Sequence, residues 1–423
     1  MRFHQRRFFA YLSGAPNLHT LSSVSSHSYT LVTTDRCVSL LGYGDAGYSL
    51  HKLEVDALRT GKADVVASAV IERPVTRQSR VAITYAVGDE LFLQVLAPHH
   101  ESLGNENGCR TEWRCLLWRH GVLHRLHDGV WFAAFFPELA TFTHTILAVD
   151  VFTSPERDQG WVVFGCADGL VRVFHGSMQR GCLGGPFMMK DLQLNGPVTS
   201  VALFPKQKPT TKESTSTWHC NLLVTCAIGQ AVVYEDLYST SDKDRNSEVL
   251  VDSDTFDSIF AGITADIDMD GEVELLLGTD SQVMLAYGDG ADGGGGHEAV
   301  TEDAMKSSHE INTDESTTTS PTSLDSSHNI WNELETISVA GEEVHPLASE
   351  SSLVRRRKWQ RLSRSQWDLE TFGAIYSLLW RDINRDGVPE LLIASSTGIY
   401  VYEADPVFVI DKLERVLASL HTS

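Results

Sequence analysis

Along most of the chain, apolar residues come in short runs rich in Val, Ile, Leu and aromatics, broken by Gly, Asp or Asn, while helical i, i+3, i+4, i+7 spacing is nearly absent. The pattern predicts an all-β chain. Three units are clearest: "ILAVDVFTSPERDQGWVVFGCADGLVRVFHG" (146–176), "SIFAGITADIDMDGEVELLLGTDSQVMLAYG" (258–288) and "AIYSLLWRDINRDGVPELLIASSTGIYVYE" (374–403). Each reads as a strand, a turn rich in acid, a fully apolar strand, a tight turn and a third strand. Weaker versions fall at 21–44, 65–97, 110–129 and 197–236, which makes seven units. A small sheet cannot cover both of its faces alone, so several must stack, and a ring does so without long exposed edges. The expectation is a β-propeller of about seven blades.

Two segments break the pattern. Residues 289–354 run from "DGADGGGGHEAV" through "STTTSPTSLDSS", a composition too polar to offset its ordering entropy, and are predicted to be a disordered acidic insertion. Residues 406–421, "PVFVIDKLERVLASLH", place Ile410, Leu413, Leu417 and Leu420 at helical spacing. This predicts a short C-terminal helix whose stripe packs onto the ring, with a partner helix as the alternative. The resulting division is 1–288 for blades one to six, 289–354 for the insertion, 355–405 for the last blade and 406–423 for the helix. The N-terminus has Arg2, Arg6 and Arg7 but no acid before Asp35, as a transit peptide would. Alternatively "FFAYLSGAPNLHTL" supplies an outer or closing strand.

Charge changes this picture little. The net −22 is concentrated in residues 289–352, where fourteen acids and one lysine give −13, so the other 359 residues carry −9. That mild acidity points to no nucleic-acid partner and selects no other. Seven dispersed cysteines without a C-x-x-C pair suggest neither a disulfide framework nor a zinc knuckle. No apolar run approaches the length of a transmembrane segment. There is no H-E-x-x-H, G-x-S-x-G or other nucleophile motif, so the chain is expected not to be an enzyme and to require no cofactor.

The chemistry the sequence does offer lies in two acidic turns, "DIDMDGEVE" and "DINRDGVPE". Alternating carboxylates followed by Gly can curl around a hard cation, which makes Asp266, Asp268, Asp270 and Glu274, and Asp382, Asn384, Asp386 and Glu390, candidate calcium ligands. An EF-hand would need Glu at position 12, where the loops have Leu277 and Ile393, and would need flanking helices. The competing reading is that the aspartates make Asx-turns and the glycine supplies a positive φ, so that the strands turn without metal.

The turn pattern resembles the FG-GAP repeat of integrin α-chain propellers, whose loop joins two strands of a blade and often binds calcium; the ninth position here carries Glu where that family usually has Asp. "FFPELATFTHTILAVDV", "GCADGLVRV", "NGPVTSVALF", "AVVYEDL", "DTFDSIFAGITADIDMDGEVELLLGT" and "DINRDGVPEL" also occur in the order and rough spacing of the kaptin family, which the chain resembles over about 130–288 and 359–420. The resemblance implies a non-catalytic propeller subunit of KICSTOR, a cytoplasmic assembly at the lysosomal membrane. Its partners there would be a second FG-GAP propeller and a large scaffold. Through GATOR complex 1 such an assembly negatively regulates TOR complex 1 when nutrients are scarce. Association with the actin cytoskeleton is the alternative it implies. No short family motif marks partner-binding residues.

Overall fold

A strand that is apolar on both faces must be covered on both. The chain achieves this with six four-stranded antiparallel sheets, each flanked by others. The computed structural model describes most of residues 4–289 and 359–422; residues 102–109, 121–142, 208–217, 238–246 and 290–358, with some shorter stretches, lie outside the described residues. After β1 (His4–Tyr11), strands follow in sequence. The first sheet is β2 (Leu21–Ser23), β3 (Tyr29–Thr33), β4 (Val38–Gly44) and β5 (Gly47–Lys52), and the second is β6 (Asp64–Glu72), β7 (Ser79–Val87), β8 (Glu90–Glu101) and β9 (Arg110–His120). The third is β10 (Ile146–Thr153), β11 (Gln159–Cys166), β12 (Leu170–Gln179) and β13 (Cys182–Gln193), and the fourth is β14 (Val198–Gln207), β15 (Trp218–Cys226), β16 (Val232–Tyr234) and β17 (Ser247–Val249). The fifth is β18 (Ile259–Ala265), β19 (Glu274–Thr279), β20 (Met284–Asp289) and β21 (Trp359–Arg361). The sixth is β22 (Ile375–Arg381), β23 (Glu390–Ser395) and β24 (Gly398–Ala404), with β1 as its outermost strand.

This is a β-propeller with six blades among the described residues, not the seven expected. The weak unit at 110–129 was counted as a blade, but its strand β9 pairs with β8 and completes the second sheet. An outer strand and the first strand of a new blade look alike in sequence, since both are short β-rich runs after a polar turn. Tyr287 of β20 pairs with Arg361 of β21, so in sequence residues 290–358 come between the third and fourth strands of the fifth sheet and not between two blades.

The second strands of the fifth and sixth sheets are buried along their length: Leu275, Leu276 and Leu277 of β19 and Leu391, Leu392 and Ile393 of β23 are all 0% exposed. Each such side chain stabilises the fold by about 1.5–3 kcal/mol relative to leaving it in water. Shared hydrophobic clusters join the first sheet to the second, the third to the fourth, the fourth to the fifth, the fifth to the sixth and the sixth to the first.

Two repeated details hold neighbouring blades in register. Five first strands carry a bulge near their start, after the opening residue at Ile146, Val198, Ile259 and Ile375 and after the second residue, Val65, in β6. In the fifth and sixth sheets the extra residues, Phe260 and Tyr376, stack across the boundary with ring centroids 5.0 Å apart. In two first strands, β14 and β22, the opening residue is a knob that meets a glycine on the preceding blade. A Cβ on Gly278 would lie 2.4 Å from Ile375 Cγ2, and one on Gly165 would lie 2.4 Å from Val198 Cγ1. First strands β10, β14, β18 and β22 also line a cavity of about 460 Å³, into which Phe260 and Trp380 contribute.

The last and first sheets close on each other through Leu21, Val32 and Leu41 against Ile383, Leu392 and Val401. Because β1 pairs with β24, from His4 opposite Ala404 to Tyr11 opposite Gly398, the N-terminal residues serve as a closing strand. Helix α1 (Pro406–Thr422) starts with Pro at its first position and with Asp405 Oδ1 accepting the Val407 N–H at 2.9 Å. Phe408 is buried, but the stripe expected to pack on the ring, Ile410, Leu413, Leu417 and Leu420, is more than half exposed. The helix therefore forms as expected, but its apolar stripe faces solvent.

Candidate functional site

Both acidic turns occupy the same place in consecutive blades, between the first and second strands: residues 266–273 join β18 to β19, and 382–389 join β22 to β23. Their backbones match. The fourth residue, Met269 or Arg385, has φ of 58° or 64°, and the sixth, Gly271 or Gly387, has φ of 91° or 89°. The conformation requires a residue tolerant of the left-handed region at the sixth place, which is what Gly provides.

Within the first turn, Asp266 accepts from two backbone N–H groups, Asp270 N at 3.0 Å and Gly271 N at 3.0 Å, and Asp268 Oδ1 accepts from Asp270 N at 3.1 Å. In the second, Asp382 accepts from Arg385 N at 2.6 Å and Gly387 N at 3.0 Å, and Asn384 Oδ1 accepts from Asp386 N at 2.9 Å. The second residue of each turn, Ile267 or Ile383, is 0% exposed and plugs the seam with the next blade. Burying that isoleucine strands its N–H, and the ninth-position glutamate satisfies it: Glu274 Oε2 accepts from Ile267 N at 2.8 Å and Glu390 Oε2 from Ile383 N at 2.6 Å. The extra methylene of Glu over Asp gives the reach. Neither glutamate turns outward.

The glutamates are consequently buried carboxyls beside other acids. Burial, with smaller contributions from Asp268, Asp270 and Asp266, pushes Glu274 up to about 8. Burial likewise pushes Glu390 up to about 7, opposed by its bonds from Ile383 and Tyr48. Asp268 is raised by burial and by Asp270, against the pull of Lys412 on α1, whose Nζ lies 4.0 Å from Asp268 Oδ1.

Of the eight candidate ligands, the fold brings together Asp266, Asp268 and Glu274 in one turn and Asp382, Asp386 and Glu390 in the other, each set offering carboxylate oxygens within 4.8 Å of one another. Asp270 and Asn384 are outside these sets; Asp270 Oδ1 accepts from Glu272 N at 2.8 Å, and Asn384 Nδ2 donates to Asp386 Oδ2 at 2.9 Å. An all-oxygen set of this kind fits a hard divalent cation, which would neutralise the buried charge. The hydrogen bonds equally show turns that are complete within the chain.

Sequence reasoning missed the groups that tie the second turn to the rest of the ring. Tyr48 of β5 places its hydroxyl 3.0 Å from Glu390 Oε1 and 2.7 Å from Glu403 Oε1, and Glu403 is paired with Arg7 Nε at 3.1 Å. First and last sheets are thus linked by an Arg7–Glu403–Tyr48–Glu390 chain at the point of closure. The partners lie 342 and 355 residues apart in sequence, so no local spacing signals them. The histidines at 124 and 127, the apolar "FFPEL" of 135–139 and the basic run at 355–358 lie outside the described residues. Cys37, Cys166, Cys220 and Cys226 are buried free thiols. Among the described residues no helix is long and apolar enough to cross a membrane.

Comparison with known proteins gives a family match. The profile of the family described as "KICSTOR complex protein kaptin" matches residues 128–414, more than half of the chain. The mouse (Mus musculus) protein of that name is 33% identical over 153 residues, which are 36% of this chain and 34% of the mouse protein, so that match spans about a third of the relative's length. Among solved structures, one described as "Structure of Dos1 propeller" aligns over 89% of this chain and 64% of its own with a TM-score of 0.30 and 8% identity.

Proposed function

The chain belongs to the kaptin family, and on that premise we propose that it is a non-catalytic adaptor subunit of a KICSTOR-like complex that recruits GATOR complex 1 to the lysosomal membrane and so restrains TOR complex 1 when nutrients are scarce. The observation that carries the reading is the family match over residues 128–414. The architecture suits an adaptor: six sheets, most of them joined to their neighbours by shared clusters, hold their connecting turns on a stiff frame, and partners can dock there without any chemical step. Partners in this reading are a second propeller protein and a large scaffold, with GATOR complex 1 reached through them.

Calcium belongs to this proposal as a candidate ligand of the two acidic turns, held by Asp266, Asp268 and Glu274 and by Asp382, Asp386 and Glu390, where it would supply charge neutralisation and stiffness. The adaptor role does not require it. Affinity purification of the tagged full chain from nutrient-starved cells, followed by mass spectrometry, tests the function. Recovery of the other complex subunits is expected. Their repeated absence, with actin recovered and co-sedimenting at physiological salt, would replace the adaptor reading with a cytoskeletal one.

A further inference from the structure

The first two turns of helix α1 carry an anchor to the propeller. Phe408 is buried, and Lys412 reaches back with its Nζ 5.7 Å from the Phe408 ring centroid and 4.0 Å from Asp268 Oδ1. Beyond that anchor the helix projects: residues 413–418 are all exposed, as is Leu420. Helical turns with so little tertiary packing are marginal in water, because most helix stability in proteins comes from a buried apolar face. Yet this projecting part is apolar along one side, with Ile410 53%, Leu413 57% and Leu417 55% exposed.

The spacing says what kind of surface this is. Ile410, Leu413, Leu417 and Leu420 follow one another at intervals of three, four and three, the a/d spacing of a coiled coil, with the exposed Val416 flanking them. Charge and area choose among occupants. The polar side carries Asp411, Lys412, Glu414 and Arg415, two charges of each sign, and lacks the excess of Lys and Arg that seats a helix on an anionic membrane. The seam is about 15 Å long, so two copies of this chain meeting through α1 alone fall well short of the roughly 1,200 Å² of a stable separate interface. A helix belonging to a larger partner, which also touches the propeller, meets that requirement. Glu414 flanks the seam next to Leu413 and calls for a Lys or Arg on the facing helix.

We propose that the exposed apolar side of α1 is a docking seam for an amphipathic helix of another subunit, paired in coiled-coil fashion along Ile410, Leu413, Leu417 and Leu420. This rests on the adaptor reading and names the surface through which one contact is made. The test reconstitutes the full chain with the other subunits of the complex, as wild type and as a Leu413→Glu/Leu417→Glu double variant, and follows amide exchange over 406–422. Both side chains are more than half exposed, so the variant should melt with the wild type. Expected results are at least about tenfold slower exchange at 413–422 in the assembled wild type than in the free chain, and at least about tenfold weaker assembly of the variant, given two apolar side chains lost from the contact. Wild-type assembly with 413–422 still exchanging freely, or a variant that assembles equally well, overturns the inference and leaves the adaptor reading intact. A wild type that does not assemble overturns both. A dimer of the isolated chain abolished by the variant, or flotation with phosphatidylserine vesicles abolished by it, would assign the seam to a second copy or to a membrane and also overturns it.

Discussion

Replacing Tyr48 with Phe removes one oxygen from the point where the ring closes, and the structure sets the expected cost. The hydroxyl has one proton and two carboxyls within reach, Glu403 Oε1 at 2.7 Å and Glu390 Oε1 at 3.0 Å. Glu403 is the nearer and is paired with Arg7, so the shorter hydrogen bond from the hydroxyl goes to it. Glu390, pushed up to about 7 chiefly by burial, accepts from the same hydroxyl through Oε1. Without that hydroxyl, Glu390 Oε1 loses this partner on a residue 1% exposed. Leaving a buried polar group unpaired costs about 1–3 kcal/mol, and we expect Tyr48→Phe to lose roughly 2 kcal/mol. The assay is urea unfolding of the purified chain in chelator, with Glu390→Gln and the double variant completing a cycle; a coupling of about 1 kcal/mol or more is expected for residues in contact. Because the folded value of Glu390 lies above its ordinary 4.5, the folded state holds the extra proton between pH 4.5 and 7. Stability from this group therefore falls as pH rises through that window, and Glu390→Gln should flatten the fall. A Tyr48→Phe variant within about 0.5 kcal/mol of wild type, with no coupling to Glu390, would refute the closing link.

Further outcomes follow from the same contacts. Gly278→Val should destabilise the chain by about 1–3 kcal/mol, because its Cβ would lie 2.4 Å from Ile375 Cγ2, and Ile375→Ala should recover part of the loss in the double variant; equilibrium unfolding reads both. Glu274→Gln in chelator should gain stability over wild type as pH rises from 4.5 towards 8, the window in which the buried wild-type carboxyl must give up its proton, while below pH 4.5 the two should coincide; melting curves at several pH values check this. If the first turn holds calcium, calorimetry should show heat with wild type and a reduced heat with Asp266→Ala, and no heat with either leaves the turn as structure alone. Phe408→Ala should release α1, speeding amide exchange over 406–422 while the blades keep their protection.

What could be read from the sequence was what depends on neighbours in the chain. The apolar runs of β11, β19 and β23 signal strands buried on both faces, Gly271 and Gly387 signal turns, and Pro406 with the following stripe signals a helix. What could not be read depends on residues far apart. Whether β9 begins a blade or ends one is decided by its pairing with β8, and Trp359–Arg361 belongs to the fifth sheet only because Tyr287 meets Arg361 across the intervening segment. The acidic turns were legible as turns and as candidate ligand sets. Their convergence on Asp266, Asp268 and Glu274, and on Asp382, Asp386 and Glu390, needed coordinates, as did the burial of the two glutamates under Ile267 and Ile383. For α1, periodicity gives an apolar side but not what covers it, and the stripe that looked like a packing face is exposed.

The central claim is that this propeller is a structural subunit of a KICSTOR-like assembly. Its most direct test is to mix the purified full chain with the purified remaining subunits at micromolar concentration and physiological salt and to measure the mass of the eluting species by light scattering. The account predicts a single stoichiometric complex containing the chain, formed without nucleotide or substrate. Elution of the chain at its own mass, apart from an otherwise assembled complex, would contradict it.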